Sequence, residues 1–256
     1  MKSITRLLKH LRDYFIQKSP LKFRTEINYE VLLHNRCDFE LYQQIFVRNV
    51  FNLSSLQKLL KKNAPVVFDL GANCGFFSLR TLDYFPKAKI YAFEPQIKVN
   101  RKFKETIKAN NLEDRIVLHE FAVAENNSTS TFYENRSPIS ASLLKEKVSR
   151  RTVRKQYPVE IISLNWFIEE FNVPYPDIMK VDVEGSELEV LKGASGFLKD
   201  VSILLIEVHP PICTAKQIED FLKHFAFERS KCLERPQNKE QDLVYINKQL
   251  LHSAKN

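Results

Sequence analysis

The feature that most restricts the fold is a change of rhythm at Pro65. From there short apolar runs alternate with stretches of helical periodicity, the pattern of a parallel sheet whose strands are joined by helices. Residues 66–70, 89–93, 116–123, 178–183 and 202–208 read as strands. Their near-continuous apolar character suits strands covered on both faces. Residues 76–85 and 96–110 read as helices, as do the stripes through Leu188, Val190, Leu191 and Leu198 and through Ile218, Phe221, Leu222 and Phe225. A chain of 256 residues, 44% of them hydrophobic, is long enough for one sizeable core. Five glycines and eleven prolines leave little room for flexible linkers, and no internal repeat is present.

Upstream, residues 1–62 read as a helical extension or cap, with residues 63–250 as the main domain. Ile4, Leu7, Leu8, Leu11 and Phe15 recur at helical spacing among Lys2, Arg6, Lys9 and Arg12, so residues 1–18 describe a basic amphipathic helix. Such a stripe either packs on the domain or lies on an anionic membrane. Residues 30–62 read as further helix through Phe39, Tyr42, Phe46, Val50, Leu56 and Leu60. Residues 125–157 break the rhythm and read as an elaborated loop, basic at Lys145, Lys147, Arg150, Arg151, Arg154 and Lys155. Such a loop either covers a substrate or is a solvated face. Net charge of +8 favours an anionic contact without naming it. Cys37, Cys74, Cys213 and Cys232 stand far apart, which points to reduced thiols in a cytoplasmic protein. No secretory leader or membrane-spanning run is evident.

Chemistry concentrates where strand meets helix. Asp69, Gly71, Ala72, Asn73 and Gly75 form D-x-G-A-N-x-G, a turn in which glycines let the backbone bend and approach a ligand. Glu94, before Pro95, ends the next strand at the spacing of an acid that accepts hydrogen bonds from ribose hydroxyls. A dinucleotide pyrophosphate wants G-x-G-x-x-G, and Asn73 stands at the middle glycine position. S-adenosyl-L-methionine carries no phosphate. Its ammonium and carboxylate suit an acidic strand end, turn amides and the Asn73 amide, so it is favoured over NAD.

The strings VVFDLGANCGFFSL, IYAFEP, DIMKVDVEGSELEVLKGA and IEVHP, in that order between Pro65 and Pro210, resemble the FkbM-type methyltransferases. The stretch CDFELYQQIFVRNVF also looks like the pre-domain helix of that family. The resemblance implies a class I methyltransferase, a Rossmann-like α/β fold with a seven-stranded, mostly parallel sheet and helices on both faces. Leu243 to Ile246 would supply its antiparallel last strand. It further implies O-methylation of a sugar hydroxyl in a glycan or natural product. By the same resemblance Asp69, Gly71, Asn73 and Gly75 hold the methionyl part of the cofactor, Glu94 the ribose, and Ala122 borders the adenine. Asp182 and Glu184, at the carboxyl end of the fourth strand, face the reacting methyl group.

A sugar hydroxyl needs a general base, and Glu184, Asp182 and His209 are the catalytic candidates, Glu184 first. Glu184 reads equally as a capping acid for the helix that follows it. Asp182, Glu184, Glu207 and His209 also carry metal-ligand chemistry, but their spacing matches no metal motif, so no metal is expected. Rival readings are an RNA or other nucleic-acid methyltransferase, an NAD-dependent oxidoreductase, and a non-catalytic scaffold that retains the fold. The first is disfavoured because the fourth-strand end is D-V-E-G, with no aromatic on which to stack a flipped base. The partner that the resemblance implies is a carbohydrate acceptor. A lipid-linked one would suit peripheral contact of residues 1–18 with the inner membrane face.

Overall fold

The structure, a computed structural model, describes residues 20–135, 153–234 and 242–253. The amphipathic helix expected over residues 1–18 lies outside them, as do Lys145, Lys147, Arg150 and Arg151 of the basic stretch.

Seven strands form the central sheet. β3 (Val66–Leu70), β4 (Lys89–Phe93), β5 (Ile116–His119), β9 (Ile178–Val181) and β10 (Ile203–Glu207) are parallel. β11 (Phe227–Arg229) and β12 (Asp242–Asn247) complete it in the order β5-β4-β3-β9-β10-β12-β11. β12 runs antiparallel to both of its neighbours, as expected for residues 243–246. The connecting helices include α3 (Phe76–Tyr84), α4 (Ile97–Ala109), α5 (Leu164–Phe171), α6 (Glu187–Gly193) and α7 (Ala215–Leu222).

Alternation along the strands feeds two cores. On one face Val67, Ile90, Ile178 and Ile203 pack beneath residues of the N-terminal segment. On the other, Phe68, Phe93, Met179 and Leu204 pack against α5, α6 and α7. Residues 76–85 and 96–110 are helical to within two residues of expectation.

Three stretches differ from the sequence reading. Residues 30–33 are not helical: β1 (Leu21–Arg24) and β2 (Glu30–Leu33) pair antiparallel, and Val31 and Leu33 are buried. Helix begins only at α1 (Arg36–Tyr42), where the Asn35 side chain accepts the amide of Asp38. It widens into a π-turn over Gln43–Val47, and α2 (Leu53–Leu60) follows. Residues 116–123 are not one strand, because β5 stops at His119 and β6 (Ala122–Val123) joins a different sheet. That second sheet is made with β7 (Ser128–Asn135) and β8 (Val153–Ile162), so much of the expected loop is an antiparallel pair. The pair has its own small core of Phe132, Val159 and Ile161. Among the described residues no helix is long and apolar enough to cross a membrane.

Candidate active site

A cleft of about 270 Å³ opens at the carboxyl edge of the sheet, where β3, β4 and β9 end side by side. The turn after β3 sets its floor. Gly71 sits at φ 73°, and a Cβ there would stand 1.8 Å from the carbonyl oxygen of Asp182, so only glycine lets the two strand ends approach this closely. The amides of Gly71 and Ala72 both donate to the carbonyl of Phe93. They are therefore spent on closing the turn and offer nothing to a phosphate, in keeping with a cofactor that carries none.

Of the residues expected from sequence, Gly71, Ala72, Asn73, Glu94, Pro95 and Ala122 line this cleft. So do Asp182, Glu184, Glu207 and His209. Asp69 and Gly75 do not. Asp69 is wholly buried beneath the turn, its Oδ2 accepting the Ser78 hydroxyl at 2.6 Å and its Oδ1 3.4 Å from Lys180 Nζ. Burial pushes its pKa up, against the pull of Lys180. Gly75 faces α4, where a Cβ would meet the Phe103 ring at 2.0 Å. Both residues shape the turn from behind. The Asn73 side chain is also used locally, its Oδ1 accepting the Cys74 amide, and the backbone amide of Asn73 donates to Glu94.

Glu94 is buried, its two oxygens accepting the amides of Asn73 at 2.9 Å and Gln96 at 2.8 Å. Burial pushes its pKa up to about 7, although both amides favour the charged form. One end of the cleft thus presents a carboxylate suited to a pair of hydroxyls. Phe93, Phe121, Val123 and Phe132 give it an apolar wall suited to a flat ring. Asp182 and Lys180 line the same cleft. These fit the ribose, adenine and amino-acid parts of S-adenosylmethionine.

Lys180 was not anticipated. Its Nζ donates to the carbonyl of Gly71 at 2.8 Å and lies 3.2 Å from Asp182 and 3.4 Å from Asp69. Burial opposes its charge, but Asp182 and Asp69 outweigh that and hold its pKa above the ordinary value. Glu187 was not assigned a role either, although it closes the D-V-E-G-S-E string. It is wholly buried, and its Oε1 lies 2.7 Å from His209 Nδ1 while accepting the Gly185 amide. The ring is thereby fixed with Nε2 toward Glu184 at 3.6 Å and Asp182 at 3.8 Å. Burial works against charge on His209, but the carboxylates of Glu187, Glu184 and Asp182 raise its pKa overall. The helix after this turn takes Ser186 as its cap, two residues beyond Glu184. Glu184 itself is held at φ 58°, a left-handed conformation that costs a side-chain-bearing residue about 1 kcal/mol or more.

The roof of the cleft comes from α1 and the π-turn, through Cys37, Asp38, Glu40, Leu41, Gln44 and Ile45. Asp38 fastens this roof, its two oxygens 2.7 and 2.9 Å from the Nζ of Lys102 on α4.

Strand order and cleft together are those of a class I methyltransferase, the class whose methyl donor is S-adenosylmethionine. Residues 69–230 match the family model of the methyltransferase FkbM domain, more than half of the chain, and the chain belongs to the FkbM methyltransferase family. The hexuronic acid methyltransferase AglP of Haloferax volcanii is 30% identical over 166 residues, covering 64% of this chain and 65% of that one. The 2-O-methyltransferase NoeI of Sinorhizobium fredii is 26% identical over 161 residues, 58% of this chain and 65% of that one. The chain thus spans just under two thirds of the length of these two relatives. The crystal structure of methyltransferase FkbM from Methylobacillus flagellatus superposes with a TM-score of 0.51 at 15% identity, over 72% of this chain and 44% of that one. At that identity the likeness is one of fold.

Proposed function

We propose that this chain methylates a hydroxyl group of a sugar in a glycan or natural product. The observation that carries the reading is the convergence of Asp182, Glu184 and His209 on one side of the cleft, beside the residues that fit the cofactor. The names of the two relatives, one acting on a hexuronic acid and the other a 2-O-methyltransferase, support it.

When bound, S-adenosylmethionine supplies a methyl carbon bonded to a positively charged sulfur. Transfer of that methyl to an acceptor oxygen would leave the sulfur as a neutral thioether and would release the hydroxyl proton, which a residue of this chain would have to accept. Glu184 is the base in this reading. The Glu184 carboxylate stands at the cleft wall with one oxygen 3.6 Å from His209 Nε2, within reach of an acceptor hydroxyl held there. Asp182, anchored through Lys180, and His209, anchored through Glu187, hold the hydroxyl in line for attack.

Incubation with methyl-labelled S-adenosylmethionine and a panel of uronic acids, neutral glycosides, an amine acceptor and RNA tests this. Label is expected on a sugar oxygen, located by fragmentation mass spectrometry. Label confined to RNA or to nitrogen would overturn the sugar reading while leaving the methyltransferase class intact.

A further inference from the structure

We propose that Asp182, Glu184 and His209 form a binding site for a divalent cation of the magnesium or manganese type. The proposal deepens the reading above, since it concerns how the same site activates an acceptor hydroxyl.

One carboxylate oxygen from each acid and a ring nitrogen of His209 all lie within 4.8 Å of one another. The separations from Nε2, 3.6 Å to Glu184 and 3.8 Å to Asp182, are longer than hydrogen bonds. They fall between the separations of adjacent and opposed ligands on a common ion, roughly 3 Å and 4 Å for oxygens bound at about 2.1 Å, so closing on an ion takes a shift of well under 1 Å.

A second observation lies behind the cluster. Glu187 is wholly buried, takes no ligand position, and fixes the imidazole through Nδ1 at 2.7 Å. The same carboxylate also lies against the buried Cys213 thiol, whose pKa burial raises and this carboxylate helps to raise. A carboxylate behind a histidine, setting the tautomer so that Nε2 points forward, is the usual support of a metal-binding imidazole. Here that nitrogen points at two carboxylates. A divalent cation between them would take over from the imidazole proton as counter-charge to the two carboxylates, with Nε2 of the neutral ring as third ligand. Lys180 does not fill the role, since it already spans Asp69 and Asp182. Two carboxylates and one imidazole leave about three positions of an octahedron for oxygens, and neighbouring hydroxyls of a sugar would fit two of them. The cation would draw charge from the acceptor oxygen, so that its proton leaves more readily to the second oxygen of Glu184.

The test is Mn2+ binding to the full chain, followed by electron paramagnetic resonance with S-adenosylmethionine present and no acceptor. One saturable site per chain is expected, displaced by Mg2+. His209→Gln should weaken it at least tenfold, and Glu187→Gln by 10- to 100-fold, the range seen when such supporting carboxylates are removed. Each variant is read only if its affinity for S-adenosylmethionine and its thermal midpoint match the parent. If Glu187→Gln does not fold, His209→Gln alone decides the matter. No saturable Mn2+ signal in the parent chain, or a signal unchanged in His209→Gln, overturns the proposal. Since no acceptor is present, a wrong acceptor class leaves this result readable.

Discussion

Glu94, proposed as the residue that holds the ribose, would couple cofactor binding to pH. Its folded-state pKa lies near 7, raised by burial from the ordinary 4.5. Without cofactor, the folded chain binds this proton more tightly than the unfolded chain does. Glu94 therefore costs stability as pH rises from about 4.5 through 7. Ribose hydroxyls donate to the ionised form, so affinity for S-adenosylmethionine should be about tenfold weaker at pH 6 than at pH 8. Titration calorimetry across that range checks this, and Glu94→Gln should bind weakly with a flat profile. A parent chain with flat affinity would move the ribose contact elsewhere. Glu184 makes the opposite demand, because its backbone is strained for the sake of where its side chain stands. Glu184→Gly should leave the thermal midpoint level or raised while abolishing turnover, and a fall of several degrees would mean that its side chain is structural. Residues of this kind were legible because a motif fixes their place at a strand end. Glu187 and Lys180 were not: a buried carboxylate behind a histidine 22 positions on, and a lysine shared by two acids, are relations between strand ends that one-dimensional spacing does not carry.

Elements were legible in proportion to their periodicity. The strands of the parallel sheet and the helices after β3 and β4 repeat regularly and are buried as their patterns require. The misread stretches are those where tertiary pairing overrode a short pattern. β2 is four residues of apolar character that make sense only against β1, and β7 and β8 are polar strands that pair chiefly with each other. The roof of the cleft shows what such pairing does for function. Asp38 on α1 and Lys102 on α4 are both nearly buried, so removing one leaves the other charged without a partner. Asp38→Ala should cost about 3–5 kcal/mol, seen as a thermal midpoint lowered by roughly 10 °C, and should weaken cofactor binding because the roof loosens. Asp38→Leu combined with Lys102→Met should recover most of the midpoint, since an apolar pair of similar volume often replaces a buried ion pair at little cost. If the double variant is as unstable as the single one, the pair does more than tie two helices together.

At the scale of the whole molecule, the division expected from sequence placed a helical extension at residues 1–62 and the catalytic unit after it. The packing argues against a separable cap. Val31, Leu33, Ile45, Leu53, Leu56 and Leu60 are each 5% exposed or less, and they share one core with Val67, Leu79, Leu82 and Phe85. At about 1.5–3 kcal/mol for each buried side chain, these six contribute on the order of 10 kcal/mol, comparable with the whole stability of an ordinary domain at about 5–15 kcal/mol. Their removal would also open an apolar face over β3 and α3. A chain of residues 63–256 should therefore show no cooperative thermal transition and should aggregate on expression. S-adenosylmethionine should not rescue it, because binding can stabilise only a fold that forms and the roof of its site would be missing. Calorimetry of the full chain and of residues 63–256, each with and without cofactor, decides the point. A cooperative transition in the shorter chain, raised by cofactor, would show that the N-terminal segment is a cap laid over a complete domain rather than part of its core.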